Sequence, residues 1–157
     1  MADKYAVITR ERMTSEYDGT KRIAVKIAED LQNGSVVVVG GLVDGEREAY
    51  STSKPALDTA VSAIAILTSP EVCADERKKN LSDFTNPKEK LATADLLCSR
   101  DIFSLTAEGF DGTPAKDAIV ELQASYKLKA VSTATSGATA VGKIIDYMNG
   151  KYAVQVN

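Results

Sequence analysis

Short apolar and β-branched runs punctuated by Asn-Gly and Asp-Gly pairs constrain this chain more than any other feature. Five of its ten glycines follow Asn or Asp, at Asp18-Gly19, Asn33-Gly34, Asp44-Gly45, Asp111-Gly112 and Asn149-Gly150. These dipeptides tolerate positive φ at adjacent positions, which a two-residue hairpin turn demands. Between them lie segments of strand character. Ile23, Val25 and Ile27 alternate with Ala24 and Lys26, and residues 36–39 are four consecutive valines. Ile119-Val120-Glu121-Leu122 precedes Tyr126-Lys127-Leu128-Lys129-Ala130-Val131, which alternates with period two. Residues 144–147 and 152–156 flank Asn149-Gly150 and predict a hairpin. The fold class expected is mostly β: a small closed β-barrel or sandwich of short antiparallel strands, closed to protect its edges.

Three segments depart from this pattern. Residues 55–67 place Leu57, Ala60, Val61, Ile64 and Leu67 at helical spacing after Pro55, while Ile64 and Ile66 fit one face of a strand. Both readings stand, and a loop followed by a strand from about Val61 is carried forward. Residues 70–90 are dense in charge, hold Pro70 and Pro87, and contain few large apolar side chains beyond Val72, Leu81 and Phe84. They predict a long exposed excursion with one short helical turn at most. Residues 1–20 mix Tyr5, Val7, Ile8 and Met13 with Arg10, Glu11, Arg12 and Glu16 without a settled period. They predict an extended N-terminal arm, ordered from outside, ahead of a single β-rich domain over 21–157.

Composition removes whole classes of chemistry. The chain has no His, which excludes Ser-His and Cys-His nucleophilic pairs, His-containing zinc sites and the usual near-neutral general base. A net charge of −3 gives no basic footprint for nucleic acid or an anionic membrane. The longest apolar stretch, residues 36–43, is interrupted by Gly40 and Gly41 and is far too short to span a bilayer. The first residues lack the basic and apolar regions of a secretory leader, so synthesis in the cytoplasm is expected. Cys73 and Cys98 stand in unrelated contexts, and two reduced thiols are expected of them.

The motifs that hint at catalysis lack their partners. Gly137-Ala138-Thr139-Ala140-Val141-Gly142-Lys143 has the spacing of a phosphate-binding loop. Ile144 stands where a metal-holding hydroxyl is needed, and the next residues run as a strand into Asn149-Gly150. A Gly- and Thr-rich hairpin loop is the better expectation. Ser51-Thr52-Ser53-Lys54 fits Ser-x-x-Lys but is followed at once by Pro55, and no partner motif is visible. Asp44 with Glu46, or Asp95 with Asp101, are carboxylate pairs of a kind that glycoside chemistry uses, but acids beside turns are ordinarily solvated. No catalytic, metal-ligating or nucleotide-binding residue is assigned, and no cofactor is expected.

The order of motifs carries a resemblance. Asp30-Leu31-Gln32-Asn33-Gly34-Ser35-Val36-Val37 is followed by Gly41-Leu42-Val43-Asp44-Gly45-Glu46-Arg47-Glu48 and Ser69-Pro70-Glu71-Val72. Then come Arg100-Asp101-Ile102-Phe103-Ser104-Leu105, Phe110-Asp111-Gly112-Thr113-Pro114 and Val141-Gly142-Lys143-Ile144-Ile145. Together they resemble the head decoration, or capsid cement, proteins of tailed bacteriophages and prophages. Arg100 departs from that pattern, which leads one to expect a turn glycine before Asp101. The resemblance implies a non-enzymatic virion protein on the capsid exterior. Its partner would be the major capsid protein, and it would form a homo-oligomer, a trimer in the family's manner, with no nucleic acid or membrane partner. It also implies an N-terminal arm that grips the lattice, so Tyr5, Val7, Ile8, Arg10, Arg12 and Met13 are the expected capsid contacts. The alternatives are a head-fibre base or tail structural component, a small hydrolase using Ser53 and Lys54, and a small-ligand binding module.

Overall fold

The run Ile64-Ala65-Ile66-Leu67 lies where two β layers meet, with every side chain fully buried. The computed structural model describes residues 4–78 and 80–157, and they contain twelve strands, five single 3-10 turns and no α-helix. The strands are β1 (Ile8–Arg12), β2 (Arg22–Lys26), β3 (Val36–Leu42), β4 (Ala49–Ser53), β5 (Ile64–Leu67) and β6 (Leu91–Leu96). They continue as β7 (Ile102–Thr106), β8 (Phe110–Gly112), β9 (Ile119–Glu121), β10 (Leu128–Val131), β11 (Ala140–Met148) and β12 (Lys151–Val156). Five strands close into a barrel in the order β2-β4-β3-β5-β6, and the other seven form a sheet in the order β1-β7-β12-β11-β9-β10-β8. Pairing is antiparallel except for β2 with β4 and β8 with β10, which run parallel. The expected mostly β fold with a small closed barrel is what the chain forms.

Alternation along two strands joins the layers. Val37, Ala65 and Leu67 turn into the barrel and pack with Val25, Ile27, Leu31, Ala92 and Ala94. The three alanines suit the narrow interior of a five-stranded barrel. Val36, Ile64 and Ile66 turn the other way and pack with Phe103, Leu105, Val120, Leu128, Ile144 and Val154 of the sheet. A strand buried on both faces loses its polar alternation. For this reason residues 61–67 read equally as helix or strand in sequence; Val61–Ala63 is a 3-10 turn that leads into β5.

Of the Asn-Gly and Asp-Gly pairs, Asn149-Gly150 alone has positive φ at both residues (53° and 78°), joining β11 to β12 in a two-residue hairpin. Asp44-Gly45 sits in the longer turn between β3 and β4, and Gly112 takes its positive φ at the end of β8. Asp18 instead caps the 3-10 turn Gly19–Lys21, receiving the Thr20 amide.

The N-terminal segment corrects its expectation. Residues 1–3 lie outside the described residues, but from Tyr5 onward the chain is built into the fold rather than held out as an arm. β1 pairs antiparallel with β7, placing Ile8 opposite Leu105 and Arg10 opposite Phe103. Ala6, Ile8 and Met13 belong to the larger core. The Tyr5 amide donates to Ser82 O (2.8 Å), and the Ala6 amide to Gln32 Oε1 (2.9 Å). The excursion over 70–90 is likewise tied down at its far end, where Asn86 is buried and bridges to Leu31; Lys79 is not among the described residues.

Candidate functional site

Although it is not an arm, the N-terminal segment borders three open grooves. The first, about 550 Å³, runs past the end of β1 and is lined by Arg12, Met13, Thr14, Tyr17, Arg100 and Gln155 among others. The second, about 350 Å³, lies between β1 and the barrel, lined by Ile8, Arg10, Arg22, Thr68 and Glu71 among others. The third, about 590 Å³, runs from Lys4 and Tyr5 across Asp30 and Gln32 to Tyr126 and Lys127.

The six expected contact residues therefore fall into two groups. Val7, Ile8 and Met13 are buried, so no partner reaches more than their edges without opening the sheet. Tyr5 is half-buried, Arg10 half-buried and Arg12 exposed. Arg10 is nonetheless committed within the molecule. Its Nη1 lies 2.8 Å from Glu16 Oε1, and its Nε lies 3.8 Å from Oδ2 of the fully buried Asp95. Asp95, on β6, also accepts from Arg22 Nε (3.0 Å) and Thr68 Oγ1 (2.8 Å). The cluster braces β1 against the barrel, and a buried carboxylate is tolerable only when so many donors meet it.

Asp101 does the equivalent work beneath the first groove. Its Oδ1 accepts from the Thr14 amide (2.9 Å) and hydroxyl (2.7 Å), and its Oδ2 accepts from the Cys98 amide (2.9 Å). Asp95 and Asp101, the acid pair singled out in sequence, are thus buried carboxylates held by separate sets of donors. Cys98 to Asp101 form a turn in which the Asp101 amide donates to Cys98 O (3.1 Å). Its third residue, Arg100, has φ 69°, a value that favours glycine.

The remaining motifs resolve structurally. Gly142 lies in β11, where an added Cβ would collide with the backbone oxygen of Gln155 on β12. The glycine of the phosphate-loop spacing is thus explained by close strand approach. Lys54 is exposed, with Nζ 5.4 Å from the centre of the Tyr126 ring, and Ser51 Oγ donates to Gly41 O (2.9 Å). Desolvation, and then the nearby Glu29 carboxylate, push the Tyr126 phenol above its ordinary pKa of 10.0. Cys73 and Cys98 are free thiols. Among the described residues, no cluster of His, Cys, Asp and Glu has the geometry of a metal site, and no helix is long and apolar enough to cross a membrane.

Comparison with protein-family models, with curated proteins and with solved structures finds no match to this chain.

Proposed function

We propose that this protein is a non-enzymatic structural component of a tailed-phage virion that binds the outer surface of the head and stabilises it. The observation that carries the reading is the ordered succession of motifs from Asp30 to Ile145 that resembles capsid decoration proteins. The character of the grooves supports it. They are open and mixed in polarity, a character that suits a protein surface better than an enclosed small ligand.

The structure changes how such binding would work. With Val7, Ile8 and Met13 packed inside, the N-terminal segment contributes groove walls on a preformed body, and Tyr5 and Arg12 are the accessible members of the expected contact set. A rigid surface avoids much of the ordering entropy of a free arm, so each contact yields more net affinity. Many copies on a repeating lattice then hold by avidity. The proposed partner is the major capsid protein, and the proposed assembly on the lattice is a homotrimer.

Quantitative mass spectrometry of purified virions tests this. One copy per capsid subunit, or a simple fraction of that, is expected. A handful of copies per particle moves the protein to a fibre base or tail, and absence from virions ends the structural reading.

A further inference from the structure

Four residues other than glycine have positive φ among the described residues: Glu89, Arg100, Asp117 and Asn149. Three have an evident local reason or partner. Glu89 pairs with Lys26 at 3.4 Å, Asp117 pairs with Lys143 at 3.2 Å, and Asn149 makes the tight hairpin turn. Arg100 has no carboxylate within ion-pairing distance among the described residues, though it occupies a position that glycine fills at lower cost. Arg12, which lines the same groove, also has none, and both side chains are exposed. The acid at this groove, Asp101, is buried and already accepts three hydrogen bonds from Thr14 and Cys98. In a chain of net charge −3, two guanidinium groups without an ion-pair partner among the described residues share one groove whose own carboxylate is occupied. The Cys98–Asp101 turn and the Arg100 amide bond to Val156 O account for the backbone, but glycine would serve there at lower cost, and nothing among the described residues engages the charged side chain that stands in its place.

We propose that the groove bordered by Arg12 and Arg100 receives an acidic segment of a partner protein, whose carboxylate side chains pair with the two guanidinium groups. The backbone argues against a bare phosphate. A phosphate nest needs successive free amides, and here those of Thr14, Cys98, Arg100 and Asp101 already donate, to Asp101 Oδ1, Asp101 Oδ2, Val156 O and Cys98 O respectively, which leaves the Ser99 amide isolated between bonded neighbours. The groove walls favour a peptide. Tyr17 is 87% exposed, Ile102 is half-buried, and Thr14 and Gln155 supply polar groups. Exposed tyrosine and planar arginine forks are what protein interfaces enrich. The inference deepens the reading given under Proposed function, and it rests on that reading only for the partner's being a protein.

The probe is a fluorescein-labelled peptide carrying consecutive glutamates, titrated by anisotropy against the full chain at low salt, with an all-alanine peptide as control. Binding is expected to the glutamate peptide alone and to weaken in high salt. Arg12→Ala and Arg100→Gly are each expected to weaken it about fivefold, as losing a charge-assisted contact at an exposed site does. Arg77→Ala, which removes an exposed arginine paired with Asp75, leaves it unchanged. Arg100→Gly relieves the left-handed strain, so its melting temperature should not fall, and a loss of binding is then not a loss of fold. Equal binding of the alanine peptide, indifference to both arginine substitutions, or binding of inorganic phosphate without the peptide overturns the proposal. Virions that retain an Arg12→Ala, Arg100→Gly double variant at full copy number overturn it too, leaving the decoration reading standing. Peptide binding by a chain absent from virions does the reverse.

Discussion

Thr14 and Asp101 are 87 residues apart in sequence and joined by two hydrogen bonds, the Thr14 amide and hydroxyl both donating to Oδ1. The pair fixes the exit of β1 against the start of β7. Replacing Asp101 with alanine strips three donors of their acceptor in a buried place. Hydrogen bonds to charged groups contribute about 1.5–3 kcal/mol, and stranded donors add to the loss. Asp101→Ala should therefore cost about 3 kcal/mol of unfolding free energy, seen as a lower urea midpoint at unchanged slope. A change below about 0.5 kcal/mol would show that the contact is not formed in solution.

Gly142 and Gln155 approach so closely that a Cβ on the glycine has no space. The obstacle is backbone on the paired strand, which cannot swing aside as a flexible side chain could. Gly142→Ala should cost about 2–3 kcal/mol, within the range of overpacked cores. Gly137→Ala is an informative contrast. Its Cβ would meet nothing within 4 Å, and its cost comes from φ 80° alone, about 1–2 kcal/mol. Thermal denaturation of the two variants separates steric from conformational cost. Equal losses would contradict the packing of β11 on β12.

The same elements show why some of this molecule can be read from its sequence and some cannot. The hairpin at Asn149-Gly150 is local, with turn and strand pattern adjacent, so it is legible. β1 is not. Its partner residues lie nearly a hundred positions away, at Leu105 opposite Ile8, and a register shift between Arg10 and Arg12 breaks its alternation. A strand without local partner or clean period is indistinguishable in sequence from a free arm. β5 loses its signature for the opposite reason, since both its faces are buried. At the candidate groove, the expectation of a glycine before Asp101 marks a backbone position that does have positive φ. That Arg12 lines the same groove depends on the path of β1, which no local pattern encodes.

Ser15 lies in the 3-10 turn Thr14–Glu16, and its Oγ is buried without a hydrogen-bond partner among the described residues. An unsatisfied buried hydroxyl is a cost that alanine removes while leaving little space behind. Ser15→Ala should leave the unfolding free energy unchanged or raise it by about 1 kcal/mol. Alanine at Thr14, whose hydroxyl is bonded, should lower it by a similar amount. Chemical denaturation of the two variants gives opposite signs if the turn is packed as described. A clear loss at Ser15 would mean that its hydroxyl is satisfied in solution.

Asp18 carries the pH-dependent prediction. Its Oδ1 accepts from the Thr20 hydroxyl at 2.6 Å and the Thr20 amide at 3.0 Å, and these bonds hold the carboxyl below its ordinary pKa of 3.8, the hydroxyl contributing most and nearby Lys21 a little. A carboxyl with a depressed folded-state pKa stabilises the fold in its ionised form. That contribution is complete above the unfolded value and is lost as the pH falls through the lower folded value. Thr20→Val removes the hydroxyl and keeps the amide, so the Asp18 midpoint should rise toward 3.8 without reaching it. Carboxyl carbon shifts followed by NMR through the acid range report it directly. A midpoint that does not move in the valine variant would mean that the hydroxyl bond is absent. The Gly19–Lys21 turn would then be capped by the amide bond alone.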